Sequence, residues 1–378
     1  MTGVHMYGEF PSHWQVLSFT EAVKDSTSRN VKIPRSEYLS QGCIPIVDQG
    51  QSLFGGYADD RRLKTDVSLP AIVFGDHTRV FKFIEEEFCL GADGAKLLEP
   101  KVNLDKKFLY YYLSSLRIEA AGYSRHFKFL KKNVVPVPPI EEQKRIADIL
   151  DKADVIHRKR QQAIALADEF LRSVFLDMFG DPVLNPKKLP LKSLESISTF
   201  VAGSALPNTE EYDGQDEGVA AFKVGDMNAL GNEYYLVRPR KWAKTYKKAN
   251  ALVPEGTIVF PKRGGAIGTN KKRITKVSAV LDPNLMGVIP GESIPLEYLY
   301  FWFQLLDLKT ISSGSSVPQL NKKDLAPLKV VIPPKPDLDR FVEISRTLRG
   351  SKAMQNSALE MAGDLFQSLS QKAFSGEL

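Results

Sequence analysis

VVPVPPIEEQKRIADIL, residues 134–150, and LKVVIPPKPDLDRFVEISRTL, residues 328–348, are built alike. In each, an apolar run leads into a proline pair and an amphipathic stretch follows. Pro138-Pro139 falls on Pro333-Pro334 at an offset of 195 residues, and Arg145-Ile146 falls on Arg340-Phe341. The same offset carries LRSVFLDMFGD, from Leu171, onto FQSLSQKAFSG, from Phe366, so that Phe179 falls on Phe374 with no insertion between the matched ends. Upstream, AIVFGDHTRVFKF from Ala71 resembles TIVFPKRGGAIGT from Thr257, and KFLYYYLSSL from Lys107 resembles EYLYFWFQLL from Glu297. Self-similarity of this kind marks a duplicated architecture. Two halves of near 190 residues, each a variable globular region followed by a helix of fixed length, account for all 378 residues.

The proline pairs cannot continue a helix upstream, and Glu141-Glu142 suit the positive end of a helix dipole, so a helix is predicted over 141–178, ending near Gly180-Asp181-Pro182. Its seam, at alternating steps of 3 and 4, reads Ile146, Leu150, Ala153, His157, Arg160, Ile164, Ala167, Leu171, Val174, Met178. The second helix answers with Phe341, Ser345, Leu348, Lys352, Gln355, Leu359, Ala362, Phe366, Leu369, Ala373. Both seams turn polar at the same two steps. A 36-residue helix spans about 54 Å, the length of a strut. Two such struts would bury their apolar faces on one another; paired antiparallel with centred overlap, Arg160 would lie near Gln355, a polar layer fixing register. The alternative is that each helix packs on its own globular half, with His157, Arg160 and Lys352 in water. Ile149, Ile156, Phe170 and Phe175 lie outside the seam, where they either face partners or complete the pair.

Between Arg238 and Lys276 stand twelve basic residues against one acid, Glu255. A solvated basic face is the ordinary reading of a charge run, but this density, with Trp242 and Tyr246 interleaved, favours a polyanion. Arg240, Lys241, Lys244, Lys247, Lys248, Lys262, Arg263, Thr269, Asn270, Lys271, Lys272 and Arg273 are the candidate DNA contacts of the second half. Within FPKRGGAIGTNKKR, glycines 264, 265 and 268 would let backbone approach a phosphate or base. The matching segment of the first half supplies Asp76, His77, Thr78 and Arg79. Just before the proline pairs, Arg125, His126 and Lys128, and then Ser315, Gln319 and Lys322, stand in equivalent places as further contacts or as plain domain-to-helix connections.

Hydrophobic residues make up 43% and charged ones 25%, an ordinary globular composition, and 51 Lys and Arg against 45 Asp and Glu give a net charge of +6. No P-loop, full GxGxxG pattern, GxSxG, HExxH or EF-hand loop occurs, and neither proline pair sits in the motif of an amino-methyltransferase acting on a base. Cys43 and Cys89 show no zinc spacing, so neither metal nor disulfide is expected. With no run of 18 apolar residues and no secretory pattern in MTGVHMYGEFPSHW, the chain is expected to be soluble and cytoplasmic, without a membrane partner.

Two variable regions, each followed by PPIEEQKRIADIL or PPKPDLDRFVEISRTL and a long helix, together with the ending LFQSLSQKAFSGEL, resemble the specificity subunit of type I restriction-modification systems. The resemblance spans essentially the whole chain. It departs at Asp337-Leu338-Asp339, where the second helix lacks the EEQ of the first. It implies an α+β chain with an internal pseudo-twofold repeat. Target recognition domains would occupy 1–139 and 181–334, and two antiparallel-paired spacer helices 140–180 and 335–378. It further implies a bipartite double-stranded DNA target, one half read by each domain. The partners implied are two methyltransferase subunits, which bind S-adenosylmethionine and methylate adenine, and a restriction and translocase subunit. Catalysis and cofactor would then lie outside this chain. The rival readings are a protein-binding scaffold or inhibitor that contacts no DNA, and a self-sufficient nuclease or methyltransferase.

Overall fold

Four helices of ten residues or more organise the residues described in the computed structural model, which are 10–92, 94–119, 122, 124–211, 218–244, 251–313 and 317–378. They are α1 (Lys106–Ser115), α2 (Ile140–Phe179), α3 (Leu296–Leu305) and α4 (Lys335–Ser375). The chain forms two compact units, Met1–Ala163 with Gln355–Leu378, and Ile164–Met354. Each unit therefore combines one globular half with part of both long helices, a division that a linear reading of domain then helix does not anticipate.

The first unit opens with strand Gln15–Ser18 antiparallel to Val134–Val137. A four-stranded antiparallel sheet follows in the order Val23–Asp25, Ala95–Pro100, Ala71–Gly75, Phe81–Ile84. A second sheet runs Lys32–Ile33, Cys89–Gly91, Ile44–Val47, Gly56–Ala58, with parallel pairing at its centre. The second unit repeats this order: Leu191–Ser193 with Lys329–Val331, then Ser198–Ala202, Leu285–Pro290, Ile258–Pro261, Arg273–Thr275. It adds a fifth strand, Tyr235–Leu236, parallel to the last. The fully apolar strands Ala71–Gly75 and Ile258–Pro261 are buried along their whole length, which is why they sit inside their sheets.

In the first unit the two long helices run antiparallel. Arg160 Nη1 donates to Gln355 Oε1 at 3.1 Å, and Phe374 stacks edge-on at 5.9 Å and 5.3 Å on Phe108 and Tyr112 of α1. Ile146, Leu150 and Ala153 are buried there, Ala362 with them, while Leu359, Phe366 and Leu369 are half-buried. In the second unit Lys352 Nζ reaches the Asp168 carboxylate at 2.6 Å, and Phe341 packs on Phe175 and Phe179 at 5.4 Å and 5.5 Å. Ile164, Ala167, Leu171, Val174 and Leu348 are half-buried in that unit. Phe175 is fully buried beneath α3, whereas Ile156 of the first unit and Phe170 of the second are about half exposed.

Gln143 explains the acidic-glutamine opening of the first long helix. Its side chain is fully buried, Nε2 donates to the carbonyls of Pro138 (2.8 Å) and Asn103 (3.1 Å), and Oε1 accepts from Asp105 N at 2.7 Å. That staples the entry to α1 onto the start of α2, and the buried amide has partners for both its oxygen and its nitrogen. At the corresponding place the second helix carries Leu338, which joins the apolar core instead.

A second difference lies where the domain helix meets the long one. Lys107 of α1 pairs with Asp151 of α2 at 3.1 Å; in the other unit Glu297 of α3 pairs with Arg346 of α4 at 2.7 Å. The positions correspond, and the charges are reversed.

Candidate nucleic-acid interface

Each unit ties its two candidate loops together with the same main-chain bonds. In the first, Asp76 N donates to Gly94 O at 2.7 Å and His126 N donates to Asp76 O at 2.8 Å. In the second, Lys262 N donates to Asn284 O at 2.8 Å and Leu320 N donates to Lys262 O at 2.9 Å. Arg263 and Gln319 form an antiparallel bridge, and Gly264 N donates to Pro318 O at 2.8 Å. The segments that precede the two proline pairs thus lie beside the turns that follow the two buried strands.

The side chains sort by burial. Asp76 and His126 are each 2% exposed and Lys272 is 1% exposed, so the expectation that they touch a ligand is corrected for these three. Asp76 Oδ1 accepts from Phe127 N at 2.7 Å, and the His126 Nδ1–H donates to Asp76 O at 2.9 Å. Lys272 Nζ is held by Asn270 Oδ1 at 2.8 Å and Leu306 O at 2.7 Å, and burial pushes its amine down to about 8. These groups close the loop on itself, through the bonds from Asp76 Oδ1, His126 Nδ1 and Lys272 Nζ. Asn270, left-handed at φ 54°, also accepts from Leu308 N at 2.9 Å and donates to Leu306 O at 3.2 Å. Arg273 is half-buried and spends its guanidinium on the carbonyls of Asn232, Lys272 and Met227, and burial lowers its affinity for its proton. These residues shape the loop.

Others remain at the surface. His77, Arg79, Arg125 and Lys128 are exposed in the first unit, with Thr78 half-buried. Arg79, at φ 64°, donates to Ile118 O at 3.0 Å, and Thr78 Oγ1 donates to Gln49 O at 2.6 Å. In the second unit Arg240, Lys244, Arg263, Thr269 and Lys322 are exposed, while Lys241, Lys262, Lys271 and Gln319 are half-buried. Thr269 Oγ1 turns back to Ala266 O at 2.7 Å, and Lys271 Nζ bonds the Asn228 side chain. Burial, and the neighbouring Arg263, lower the Lys262 amine. Gly264 needs its positive φ of 71°, but at 264, 265 and 268, among the described residues and apart from the immediate chain neighbours, nothing lies within 4 Å of where a Cβ would stand. At these three glycines the described residues leave room for an approaching backbone. Lys247, Lys248 and Ser315, with Tyr246, lie outside the described residues.

Some contributors carry no mark in the sequence. Lys223 joins Arg240 and Lys241 around a recess of about 240 Å³, held in place by buried Asp226, which accepts from Lys223 N at 2.7 Å and Arg240 N at 3.1 Å. Lys223 lies outside the basic run, so charge density does not point to it. In the first unit Lys131 and Lys96 stand 4.7 Å and 5.2 Å from the Phe127 ring, and Lys128 stands 4.9 Å from Phe129. Gln49 supports the turn through its Oε1, which accepts from His77 N at 3.2 Å. The result is two similarly clamped loop pairs, both rimmed by cations suited to phosphate, with different polar side chains on each.

A family model described as the type I restriction modification DNA specificity domain matches residues 11–166 and again residues 192–349. The chain belongs to that family. Each match covers one globular half and runs into the long helix after it. Similar relatives include the EcoR124I/EcoR124II specificity subunit of Escherichia coli, 23% identical over 354 residues, covering 87% of this chain and 85% of the relative. The EcoBI specificity subunit, also from Escherichia coli, is 25% identical over 331 residues, covering 74% of this chain and 67% of the relative. The crystal structure of the type I restriction-modification system S subunit from M. genitalium shares the fold, with a TM-score of 0.62, 15% identity and 96% of each chain covered. This member mixes helices and strands in both units and carries the domain twice. Among the described residues no group of three or more His, Cys, Asp and Glu is placed to hold a metal ion, and no helix is long and apolar enough to cross a membrane.

Proposed function

We propose that each unit reads one half of a split, non-palindromic double-stranded DNA target, and that the paired helices set the spacing between the halves. The reading is carried by one observation: the same clamp holds the 76–79 and 125–128 segments in the first unit and the 262–270 and 318–322 segments in the second, around different side chains. One frame with two contents suits two half-sites of different sequence. Exposed cations such as Arg79, Arg125, Arg240, Arg263 and Lys322 supply salt-dependent affinity for phosphate, and polar side chains at the groove edge choose bases at about 1–3 kcal/mol per good bidentate pair. The chain itself performs no chemistry in this account. It works in the cytoplasm with two methyltransferase subunits that bring S-adenosylmethionine and methylate adenine, and with a restriction subunit where the system cleaves.

The test is methyl transfer from S-adenosylmethionine to DNA by the partner methyltransferase alone, by this chain alone, and by the two together. Transfer only in the mixture is expected. Transfer by the chain alone would restore the self-sufficient enzyme, and transfer by the methyltransferase that this chain does not change would favour a scaffold.

A further inference from the structure

The two units differ at one sheet edge. In the second, Tyr235–Leu236 lies parallel to Arg273–Thr275, with Ile274 N donating to Tyr234 O at 3.0 Å and Lys276 N to Leu236 O at 3.0 Å. The strand arrives on the long connection between Val219–Phe222 and Lys241–Ala243; in the first unit the connection between Ile44–Val47 and Gly56–Ala58 spans only residues 48–55. The matching edge, Phe81–Ile84, is the last strand of its sheet. Val73 pairs with Lys82 and Phe74 with Phe81, as Val259 pairs with Arg273, so Phe83 corresponds to Ile274 and Glu85 to Lys276.

Along this edge lies a groove of about 530 Å³, lined by the consecutive residues 80–86 together with Phe54, Lys107, Tyr110, Asp154 and Arg158. Consecutive strand residues on a groove wall mean that backbone donors and acceptors, and not side chains alone, face the opening. Lys82 also lines it, 4% exposed, with its ammonium 3.6 Å from Asp48 and no hydrogen-bond partner among the described residues. In the second unit the corresponding cavity is walled by Glu233 and Tyr234, the residues that lead into the added strand, and Tyr234 meets Tyr300 edge-on at 4.8 Å. Arg349 Nη1 there donates to the Tyr235 hydroxyl at 2.6 Å. Tyr110 and Asp154 hold those two places in the first unit.

We propose that the open edge of Phe81–Ile84 takes up an extended segment of a partner polypeptide, in parallel, by main-chain bonds to Phe83 and Glu85. The occupant carries adjacent aromatic residues over Tyr110, one hydroxyl donating to Asp154, and a base in register with Glu86. The groove is mixed in charge, with Asp154 paired to Arg158 at 3.0 Å and Lys107 to Asp151 at 3.1 Å, so Glu86 supplies the acid that meets the base of such a segment while main-chain bonds supply the pairing.

The probe is a peptide of this chain's own sequence, NEYYLVR, residues 232–238, added to the full-length protein. Amide hydrogen exchange over 81–86 is expected to slow about tenfold at peptide ten times above its dissociation constant. Slowing should persist in Glu85→Ala, fail in Glu85→Pro, and fail with the Leu236→Pro peptide on unaltered protein, which guards against a folding defect of the first proline variant. Unchanged exchange at millimolar peptide, or slowing indifferent to both prolines, would overturn the proposal. So would protection of these amides that grows with protein concentration without peptide, which would assign the edge to a second copy of this chain.

Discussion

Lys272 and Arg263 belong to one basic run and have opposite fates. Arg263 is exposed beside Gln319, whereas Lys272 is buried and bonded to Asn270 and Leu306. Counting cations therefore reveals a basic surface without telling which cations reach it, because a lysine inside its own loop looks the same in sequence as one outside. Arg263→Ala is expected to weaken DNA binding across sequences and to lower the slope of log K against log salt by about one, measured by titration at several salt concentrations. An unchanged slope would remove Arg263 from the phosphate contacts. Lys272 acts on stability instead. The unfolded chain holds this proton up to about 10.5 and the folded chain releases it near 8, so between those values the unfolded state binds more protons and stability rises with pH. The unfolding free energy of the natural chain minus that of Lys272→Met should be flat below pH 8 and grow from there to about 10.5. A difference that stays flat, or falls, contradicts the assignment.

The long helices were legible as elements because a 3-4 seam and two proline starts are strong local signals, and the polar step at Arg160 and Gln355 even named the residues that bond in the first unit. Helix partners among the strands were not legible, since strand order and the fifth strand at Tyr235–Leu236 depend on the length of a loop and not on any periodicity. Nor was the reversed ion pair. Asp151–Lys107 and Arg346–Glu297 fasten corresponding helices with opposite polarity, so each domain helix matches its own strut and would meet a like charge on the other. In the first unit, Lys107→Glu and Asp151→Arg should each destabilise by about 1 kcal/mol, and the double variant should recover most of that loss in denaturant unfolding. Simple additivity of the two losses would show that the pair contributes nothing to docking.

At the scale of the molecule the chain repeats one frame and varies its filling. The repeat was legible at both helices and at the strands around Ala71 and Thr257, where apolar runs recur in order. The filling was not, because it lies in loops whose side chains are sorted by burial only after folding. Different fillings predict unequal half-sites. The most direct measurement is methylome sequencing of a host that expresses this chain with its methyltransferase, compared with a host that carries the methyltransferase alone. The account predicts a new adenine-methylated motif that appears only with this chain, split into two unlike halves by a fixed gap. A symmetric palindrome would contradict the unequal half-sites, and no new motif at all would contradict the central claim that this chain chooses the target.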